Sequence, residues 1–309
     1  MSTGAVASHH EPILIVEGLT KRFGGVVAVE EVSLEVRRSE ITSLIGPNGA
    51  GKTTVFNVVS GLYEKTAGHI WYRLPDGRQV DLTEPVFDPL HALIVSLATL
   101  GIGALALAVP RLRRALYYRT RTPDAIAGLG IARTFQNIRL FEDLSVLDNV
   151  KVGLHGRVSS SPLDAVFRSP RHRREERDIE AAAAEYLEFV GLLHRAYQEA
   201  SSLPYGEQRR LEIARALATG PQLLLLDEPA AGMNPTETNE LIRLIQKIRD
   251  AGVTVFLIEH DMRLVMEISD HVVVLDHGRK IADGTPAEVR QNPDVIAAYL
   301  GTHTEEASG

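Results

Sequence analysis

A stretch of nine residues from Gly46 to Thr54, GPNGAGKTT, constrains the fold of this chain more than any other feature. It fits the pattern G-x-x-x-x-G-K-[ST], and it follows a short apolar run, Ile41 to Ile45. Glycines allow backbone N–H groups to turn toward phosphate oxygens, a lysine can reach the β- and γ-phosphates, and a hydroxyl can bind Mg²⁺. The stretch therefore predicts a strand, a phosphate-binding loop and a helix.

Within this loop each residue type has a predicted role. Lys52 reaches the phosphates and Thr53 binds Mg²⁺, while Thr54 opens a helix whose N-terminal dipole faces the anion. The further predicted nucleotide contacts are Gly46, Asn48, Gly49 and Gly51. The structural alternative is a glycine-rich turn that only caps a helix.

Composition limits the class of protein. With 309 residues and 44% hydrophobic content, the chain can bury the core of one large or two modest domains. A net charge of -7 argues against a nucleic-acid binder that depends on a broadly basic surface. Because there is no cysteine, disulfides, thiolate catalysis and cysteine-based metal sites are excluded. Residues 1–12 lack the pattern of a secretion signal and are interpreted as a flexible tail.

Three apolar runs each end in polar residues that can do chemistry. Ile41 to Ile45 precedes Gly46, and two later runs complete the set: Leu223 to Leu226 before Asp227 and Glu228, and Val253 to Ile258 before Glu259 and His260. Continuous apolar runs suit strands buried on both faces of a parallel sheet, and ligands bind beyond the carboxyl ends of such strands. We therefore expect an α/β fold in which all three runs point at one site.

Weaker patterns predict the remaining elements. Ile13–Val16 and Val32–Val36, with Gly24 and Gly25 between them, indicate a small antiparallel sheet. Helical spacing predicts helices over Asp178–Leu193 and Glu207–Leu217. Near the end we expect a hairpin whose strands are Val272–Leu275 and Lys280-Ile281, with a turn at His277-Gly278. A helix is expected to follow around Val295–Leu300.

The order of the motifs resembles the ATP-binding subunits of ABC transporters. Asp227-Glu228-Pro229 matches the Walker B element, Arg133-Thr134-Phe135-Gln136-Asn137 the Q-loop, and His260 the switch histidine. The resemblance implies a P-loop ABC nucleotide-binding domain with a RecA-like parallel sheet core, a small antiparallel β subdomain and a helical subdomain at 137–205. One such domain spans 13–301, with flexible tails at 1–12 and 302–309.

The same resemblance assigns site residues for ATP and Mg²⁺. It implies that Asp227, Thr53 and Gln136 hold Mg²⁺, that Glu228 is the base polarising the attacking water, and that Gln136 and His260 sense the γ-phosphate. Phe23 stands where the family stacks an aromatic ring on adenine; its alternative is a plain core phenylalanine. Without the other motifs, Gln136 could be an ordinary polar residue and His260 a surface or helix-capping residue rather than members of a site.

Leu203 to Arg210, LPYGEQRR, stands in the place of the signature motif LSGGQ. In the family this helix start binds the γ-phosphate held by a second ATPase subunit, of the same or another kind, which implies contacts from Gly206 and Glu207. Pro204 replaces the usual serine and Tyr205 the first glycine. Asn234 fills a D-loop position where aspartate is common.

Local sequences are most similar to the LivG-type ATPases of branched-chain amino acid importers. The resemblance rests on residues 205–215, 227–235, 258–262, 284–286 and 292–296. It implies integral-membrane permease partners contacted through Asn137–Val150, a substrate-binding protein met only indirectly, no nucleic acid, and a place on the cytoplasmic face of the cell membrane. Alternatives are an ATPase for urea or short amides, a lipid exporter ATPase, or a soluble non-transport ABC ATPase.

Residues 87–121 form an insertion beyond the family pattern. They include Ala92–Val109, eighteen residues without a charge, followed by Pro110 and the basic residues Arg111, Arg113 and Arg114. As a helix this run is about 27 Å long. A single membrane crossing is excluded because Lys52 and Glu228, on either side of it, must meet in one site. The run is a re-entrant or surface-lying segment, a helix packed on the permease, or a helix buried on the protein itself.

Overall fold

The computed structural model describes residues 11–87, 118–119, 121–154 and 170–306, and the helical residues Leu93 and Leu97. The strands are β1 (Pro12–Phe23), β2 (Val26–Arg37), β3 (Ile41–Ile45), β4 (Ala67–Arg73), β5 (Gln79–Asp81), β6 (Val86–Phe87), β7 (Tyr118–Arg119), β8 (Ile131–Arg133), β9 (Leu223–Asp227), β10 (Thr254–Ile258), β11 (His271–Asp276) and β12 (Arg279–Gly284). The helices are α1 (Lys52–Val59), α2 (Pro123–Gly128), α3 (Val146–Leu154), α4 (Pro170–Phe189), α5 (Tyr205–Ala218), α6 (Pro235–Asp250), α7 (Met262–Ile268), α8 (Pro286–Gln291) and α9 (Pro293–Glu306).

A six-stranded sheet in the order β12-β11-β3-β10-β9-β8 forms the centre of the fold. Its neighbours from β11 to β8 pair in parallel, and only the edge strand β12 is antiparallel. Every residue of β3, β9 and β10 is buried, as expected for apolar strands covered on both faces. The sequence prediction is therefore confirmed: the three apolar runs are adjacent strands whose carboxyl ends lie at one edge.

A second, antiparallel sheet has the order β2-β1-β4-β5. The predicted early strands are parts of one long hairpin, in which β1 and β2 meet at the turn Gly24-Gly25. The sheet shares a core with the central sheet, since Val16 and Val32 pack in the same cluster as Phe56 of α1 and Phe256 of β10. The antiparallel β subdomain predicted from the sequence is confirmed.

Helices α3, α4 and α5 pack together and complete the α/β fold. Their apolar faces share a core that includes Val150, Leu187 and Leu211. The helix expected over Asp178–Leu193 ends earlier, at Phe189, because Gly191 adopts a left-handed φ of 76° and a 3₁₀ turn follows at Leu193–Arg195. The expected hairpin near the end of the chain is β11 and β12, and α9 extends to Glu306 within the predicted tail.

Two short strands at the ends of the insertion pair with each other. Val86 opposes Arg119 and Phe87 opposes Tyr118 in a two-stranded antiparallel ladder, which brings the two ends of the insertion together. The predicted apolar run Ala92–Val109 and its basic cluster lie outside the described residues apart from Leu93 and Leu97. Within the described part of the chain, no helix has the length and apolar character needed to cross a membrane.

Candidate functional site

The phosphate loop follows β3 and requires glycine at two positions. Gly46 has φ 151° and Gly51 has φ 97°, in the region that favours glycine. A Cβ atom at Gly46 would collide with the carbonyl oxygen of Leu275, and one at Gly51 would lie 2.5 Å from that of Ala28. Only glycine therefore permits this loop to pass so close to β11 and β2.

The N-terminus of α1 has the chemistry of an anion site. Gly51 is its N-cap, no side chain among the described residues caps it, and its first turn carries no acidic residue. Its first N–H groups are therefore available to a phosphate. Lys52 is 7% exposed, and its Nζ donates to the carbonyl oxygens of Gly46 at 2.7 Å and Pro47 at 2.9 Å.

Burial lowers the pKa of Lys52, while the nearby carboxylates of Glu228 and Asp227 raise it and oppose that effect. The Thr53 side chain, at the same helix start, is exposed. An ammonium, a hydroxyl and the Asp227 carboxylate beside free N–H groups are a donor set that fits a triphosphate with a divalent cation. The predicted contacts Asn48 and Gly49 are exposed at the tip of the loop, and Thr54 lies within α1.

The three predicted catalytic side chains meet at the carboxyl edge of the sheet. Gln136 Nε2 donates to Glu228 Oε2 at 2.9 Å, and His260 Nδ1 lies 3.8 Å from the same oxygen. Glu228 has φ 45°, an uncommon conformation for a residue with a side chain, and its N–H donates to Ile258 O at 2.9 Å. The carboxylate of Glu228 is thus fixed between a side-chain amide and an imidazole that is 59% exposed.

Asp227 has a partner that sequence reasoning missed. Arg133 Nη2 donates to Asp227 Oδ2 at 2.8 Å, and both side chains are buried. Arg133 Nη1 also donates to Asn57 Oδ1 at 2.8 Å and Ser60 Oγ at 2.7 Å. The sequence signal was a basic residue at the end of a strand three positions before Gln136, but its pairing depends on β8 lying next to β9.

Glu259, which the sequence places after the third apolar run, has a structural role that sequence reasoning missed. It is fully buried, and its two oxygens accept from the N–H groups of Ala230 at 2.9 Å and His260 at 3.1 Å. Burial raises the pKa of Glu259, and these hydrogen bonds oppose the rise. Glu259 thus ties the segment after Glu228 to the segment that carries His260.

A third missed feature is the ion pair of Arg209 and Glu212 on α5, which is almost completely buried. Arg209 donates to the carbonyl oxygens of Phe135 at 2.7 Å and Gln136 at 2.6 Å, and to Glu212 Oε2 at 2.8 Å. Glu212 Oε1 accepts from the N–H groups of Phe135 at 3.4 Å and Arg139 at 3.3 Å. The pair therefore fixes the backbone on both sides of Gln136 to the helix of the signature motif.

The predicted signature residues lie at the start of α5. A Cβ atom at Gly206 would lie 2.8 Å from Glu237 Oε1, and Glu207 Oε2 lies 3.3 Å from Arg195 Nε. Pro204 is the N-cap of this helix, and no side chain of the described residues caps it. Like α1, α5 begins with free N–H groups.

Asn234 and Phe23 each have a clear environment. The Asn234 side chain caps α6, accepting from the N–H groups of Thr236 at 2.9 Å and Glu237 at 3.0 Å in a capping box. Phe23 is 42% exposed and is not part of the core. Its ring lies edge-on to Tyr63 with centroids 5.3 Å apart, and Lys21 Nζ lies 4.7 Å from its centroid.

A cavity of about 1320 Å³ opens beside the segment that follows Gln136. Among the residues that line it are members of α2, β8, α3 and α5, the stretch 139–141 and the turn at 74–78. Phe141 and Leu144, within the predicted permease contact, are exposed apolar side chains. The cavity thus adjoins the segment that Arg209 and Glu212 hold.

Family profiles match most of the chain. The family described as "ABC transporter" matches residues 29–91 and 116–231, and "Branched-chain amino acid ATP-binding cassette transporter" matches residues 279–305. The second match covers β12, α8 and most of α9.

Curated relatives align over nearly their whole length. The branched-chain amino acid transport ATP-binding protein BraF of Pseudomonas aeruginosa is 46% identical over 94% of this chain and 98% of its own. LivG of Escherichia coli is 42% identical over the same shares, and the lipopolysaccharide export protein LptB of Escherichia coli is 34% identical over 93% and 97%. The crystal structure of the ADP conformation of MJ1267, an ATP-binding cassette of an ABC transporter, matches with a TM-score of 0.70 and 28% identity over 94% of this chain and 99% of that one.

Proposed function

The chain belongs to the ATP-binding proteins of branched-chain amino acid ABC transporters, and we propose that it is the motor subunit that drives import of branched-chain amino acids. The observation that carries the catalytic part of this proposal is the meeting of Gln136, Glu228 and His260 at one edge of the sheet. This edge also carries the phosphate loop and Asp227.

Hydrolysis of the γ-phosphate requires a positioned water, neutralised charge and a proton acceptor. Glu228 accepts the proton of the attacking water. Its carboxylate is positioned for this step by the hydrogen bond from Gln136 at 2.9 Å. Lys52 and the free N–H groups of α1 neutralise the phosphates, and His260 adds a donor for the γ-phosphate. Thr53, Asp227 and Gln136 would hold Mg²⁺, which when bound would supply charge neutralisation for the phosphates.

A second ATPase subunit completes the site. The start of α5, with Gly206 and Glu207, presents free N–H groups but contacts α6 and Arg195 rather than the phosphate loop of its own chain. An uncapped helix start suits an anion from another molecule. We place the ATP of the partner subunit against Gly206, with Phe23 stacking on the adenine of the chain's own ATP.

The permease contacts the surface formed by Asn137–Val150 and the adjoining cavity. Exposed Phe141 and Leu144 offer apolar contacts there, and Arg209 and Glu212 connect this surface to Gln136. ATP-driven closure of two subunits then moves the permease helices. Because this contact is made with cytoplasmic helices of the permease, the chain is a peripheral protein on the cytoplasmic face of the membrane. A substrate-binding protein acts only through the permease.

The second candidate is the ATPase of a lipid exporter, which the 34% identity to LptB favours. The match of residues 279–305 to the branched-chain amino acid family favours the importer instead. Transport of urea or short amides stays an alternative to transport of branched-chain amino acids, because the transported molecule does not touch this subunit.

The test is affinity purification of tagged Glu228→Gln protein with ATP and Mg²⁺ from detergent-solubilised membranes of its source organism. This variant lacks the proposed base, so closed complexes accumulate. We expect mass spectrometry to identify two integral-membrane permeases and an ATPase subunit, and uptake assays on that permease to identify branched-chain amino acids. Recovery of ribosomes or other soluble complexes in their place would overturn the proposal.

The insertion is tested separately. Strands β6 and β7 pair at the two ends of the insertion, so the part of residues 87–121 that lies between Phe87 and Tyr118 can be replaced by a short glycine-serine linker that keeps this pairing. We propose that the insertion adds membrane or permease affinity, and we expect its deletion to release the protein from membranes. Unchanged membrane retention would contradict this role.

A further inference from the structure

Arg133 is a buried cation at the end of β8, the outermost strand of the central sheet on this side. Its side chain is 8% exposed, and its guanidinium lies 5.3 Å from the ring centroid of Phe135 and 5.7 Å from that of Phe56. It donates to a carboxylate on β9, to one oxygen on α1 and to one oxygen on the residue that follows α1. A planar guanidinium with fixed donors holds such partners at defined positions better than a flexible ammonium.

The carboxylate it holds is that of Asp227. Arg133 Nη2 donates to Asp227 Oδ2 at 2.8 Å, while Asp227 Oδ1 has no hydrogen-bond partner among the described residues. One oxygen is therefore occupied by the guanidinium and the other is left for a different ligand. A carboxylate that is hydrogen-bonded through one oxygen has a fixed orientation for a metal at the other.

The other two contacts of Arg133 reach the helix of the phosphate loop. Asn57 and Ser60 lie in the last turn of α1 and just after it, and Lys52 and Thr53 lie in its first turn. Arg133 thus sets the position of Asp227 relative to the helix that carries Thr53. Asp227 and Thr53 are two of the three proposed ligands of Mg²⁺, and they lie on different elements.

We propose that Arg133 is a positioning residue for the metal: it holds the Asp227 carboxylate in register with α1, so that Mg²⁺ strengthens ATP binding. The inference rests on the function proposed above. A guanidinium beside a metal ligand also repels the cation. Because loss of a group that orients a metal ligand weakens metal affinity about 10- to 100-fold, we expect orientation to dominate over repulsion.

Two variants separate the two effects. Arg133→Lys keeps the positive charge but loses the planar fork, whereas Arg133→Gln removes the charge and keeps a donor. Each is made in full-length Glu228→Gln protein, so that ATP is not consumed. The dissociation constant of a fluorescent ATP analogue is measured in EDTA and in Mg²⁺. The ratio of the constant in EDTA to the constant in Mg²⁺ gives the factor by which the metal strengthens binding.

The control is Arg249→Gln, because Arg249 pairs with Asp270, and Asp270 contacts Ile41 at the opposite, amino end of β3. We expect this control to keep the ratio of its parent. For both Arg133 variants we expect the constant in EDTA to stay within about twofold of the parent and the ratio to fall about tenfold. Asn57→Ala, which removes one anchor but leaves both charges, is expected to lower the ratio by a smaller factor.

The outcomes are distinct. An increased ratio in Arg133→Gln would show that repulsion dominates and would overturn the proposal, as would an unchanged ratio in both folded variants. A variant that shows no cooperative melting transition by circular dichroism has not folded. If both Arg133 variants fail in this way, the ratio measured for Asn57→Ala tests the proposal in their place. If the Glu228→Gln parent itself shows no Mg²⁺-dependent binding of the analogue, the proposed function fails rather than the role of Arg133.

Discussion

Replacement of Arg209 by methionine tests whether the buried pair on α5 holds the Q-loop. The change leaves the Glu212 carboxylate, which is almost completely buried, without its cation. It also removes donors from the carbonyl oxygens of Phe135 and Gln136. Breaking a buried ion pair from one side costs about 3–5 kcal/mol. For a chain of this length that corresponds to a decrease in melting temperature of about 5–8 °C.

The pH dependence of this loss has a definite sign. Burial raises the pKa of Glu212 above its ordinary value, and the positive charge of Arg209 is the main opposing effect. When the pKa of Glu212 is higher in the folded protein than in the unfolded chain, its protonation stabilises the fold. This stabilisation is complete below the pKa of the unfolded chain, near 4.5, and it is lost as the pH rises through the pKa of the folded protein. Without Arg209 the pKa rises further, so the deficit of the variant should be larger at about pH 8 than at about pH 5.

The assay is thermal unfolding of both proteins at the two pH values, with Arg249→Met as control. Arg249 also forms ion pairs with carboxylates, but they are partly exposed, so its loss should cost less than about 1 kcal/mol. The ATPase rate of Arg209→Met should fall as well, because Gln136 loses its anchor. If the melting temperature falls no more than in the control, or if the deficit does not grow with pH, the buried pair does not hold this loop.

Three further changes have defined outcomes. Gly46→Ala should abolish ATP binding in equilibrium dialysis, because its methyl group collides with Leu275 O; Gly128→Ala, in open space, should bind normally. Asn234→Ala should lower the free energy of unfolding by about 1 kcal/mol in urea, because α6 loses its cap, and a neutral result would contradict the capping role. Phe23→Ala should weaken ATP binding by about 0.5–1.5 kcal/mol, and equal affinity in both proteins would exclude stacking on adenine.

The central sheet could be predicted from the sequence because burial on both faces leaves a continuous apolar run. β3, β9 and β10 are such runs, and the polar residues directly after them had to meet at one edge. Glu228 and His260 were accessible to prediction for that reason. Gln136 follows only a three-residue strand, and its assignment depended on resemblance.

The residues that sequence reasoning missed are those whose partners depend on packing. Arg133 meets Asp227 only because β8 lies beside β9 in the sheet, although 94 positions separate the two residues. Arg209 and Glu212 have the spacing of an ordinary exposed helical pair, and only their burial under the Q-loop distinguishes them. Spacing predicts which residues share a face, but not which face is covered.

The two departures in the signature motif have simple structural consequences. Pro204 has φ -56° at the N-cap, a value that proline adopts without strain, so the helix start is kept without the hydroxyl of serine. The Tyr205 hydroxyl lies 3.4 Å from Arg209 Nη2, and a Cβ atom at Gly232 would lie 3.5 Å from the tyrosine ring. Tyr205 therefore adds contacts within its own chain.

ATP hydrolysis by the purified protein and by its Glu228→Gln variant is the direct measure of whether Glu228 is the base of this site. The release of phosphate is followed with Mg²⁺ present, and ATP binding is measured in parallel. We expect the variant to bind ATP as tightly as the parent while its turnover falls about 10²- to 10⁴-fold, since only the proton acceptor is lost. Turnover at the parental rate in a variant that binds ATP would contradict the assignment of Glu228 and of the site built around it.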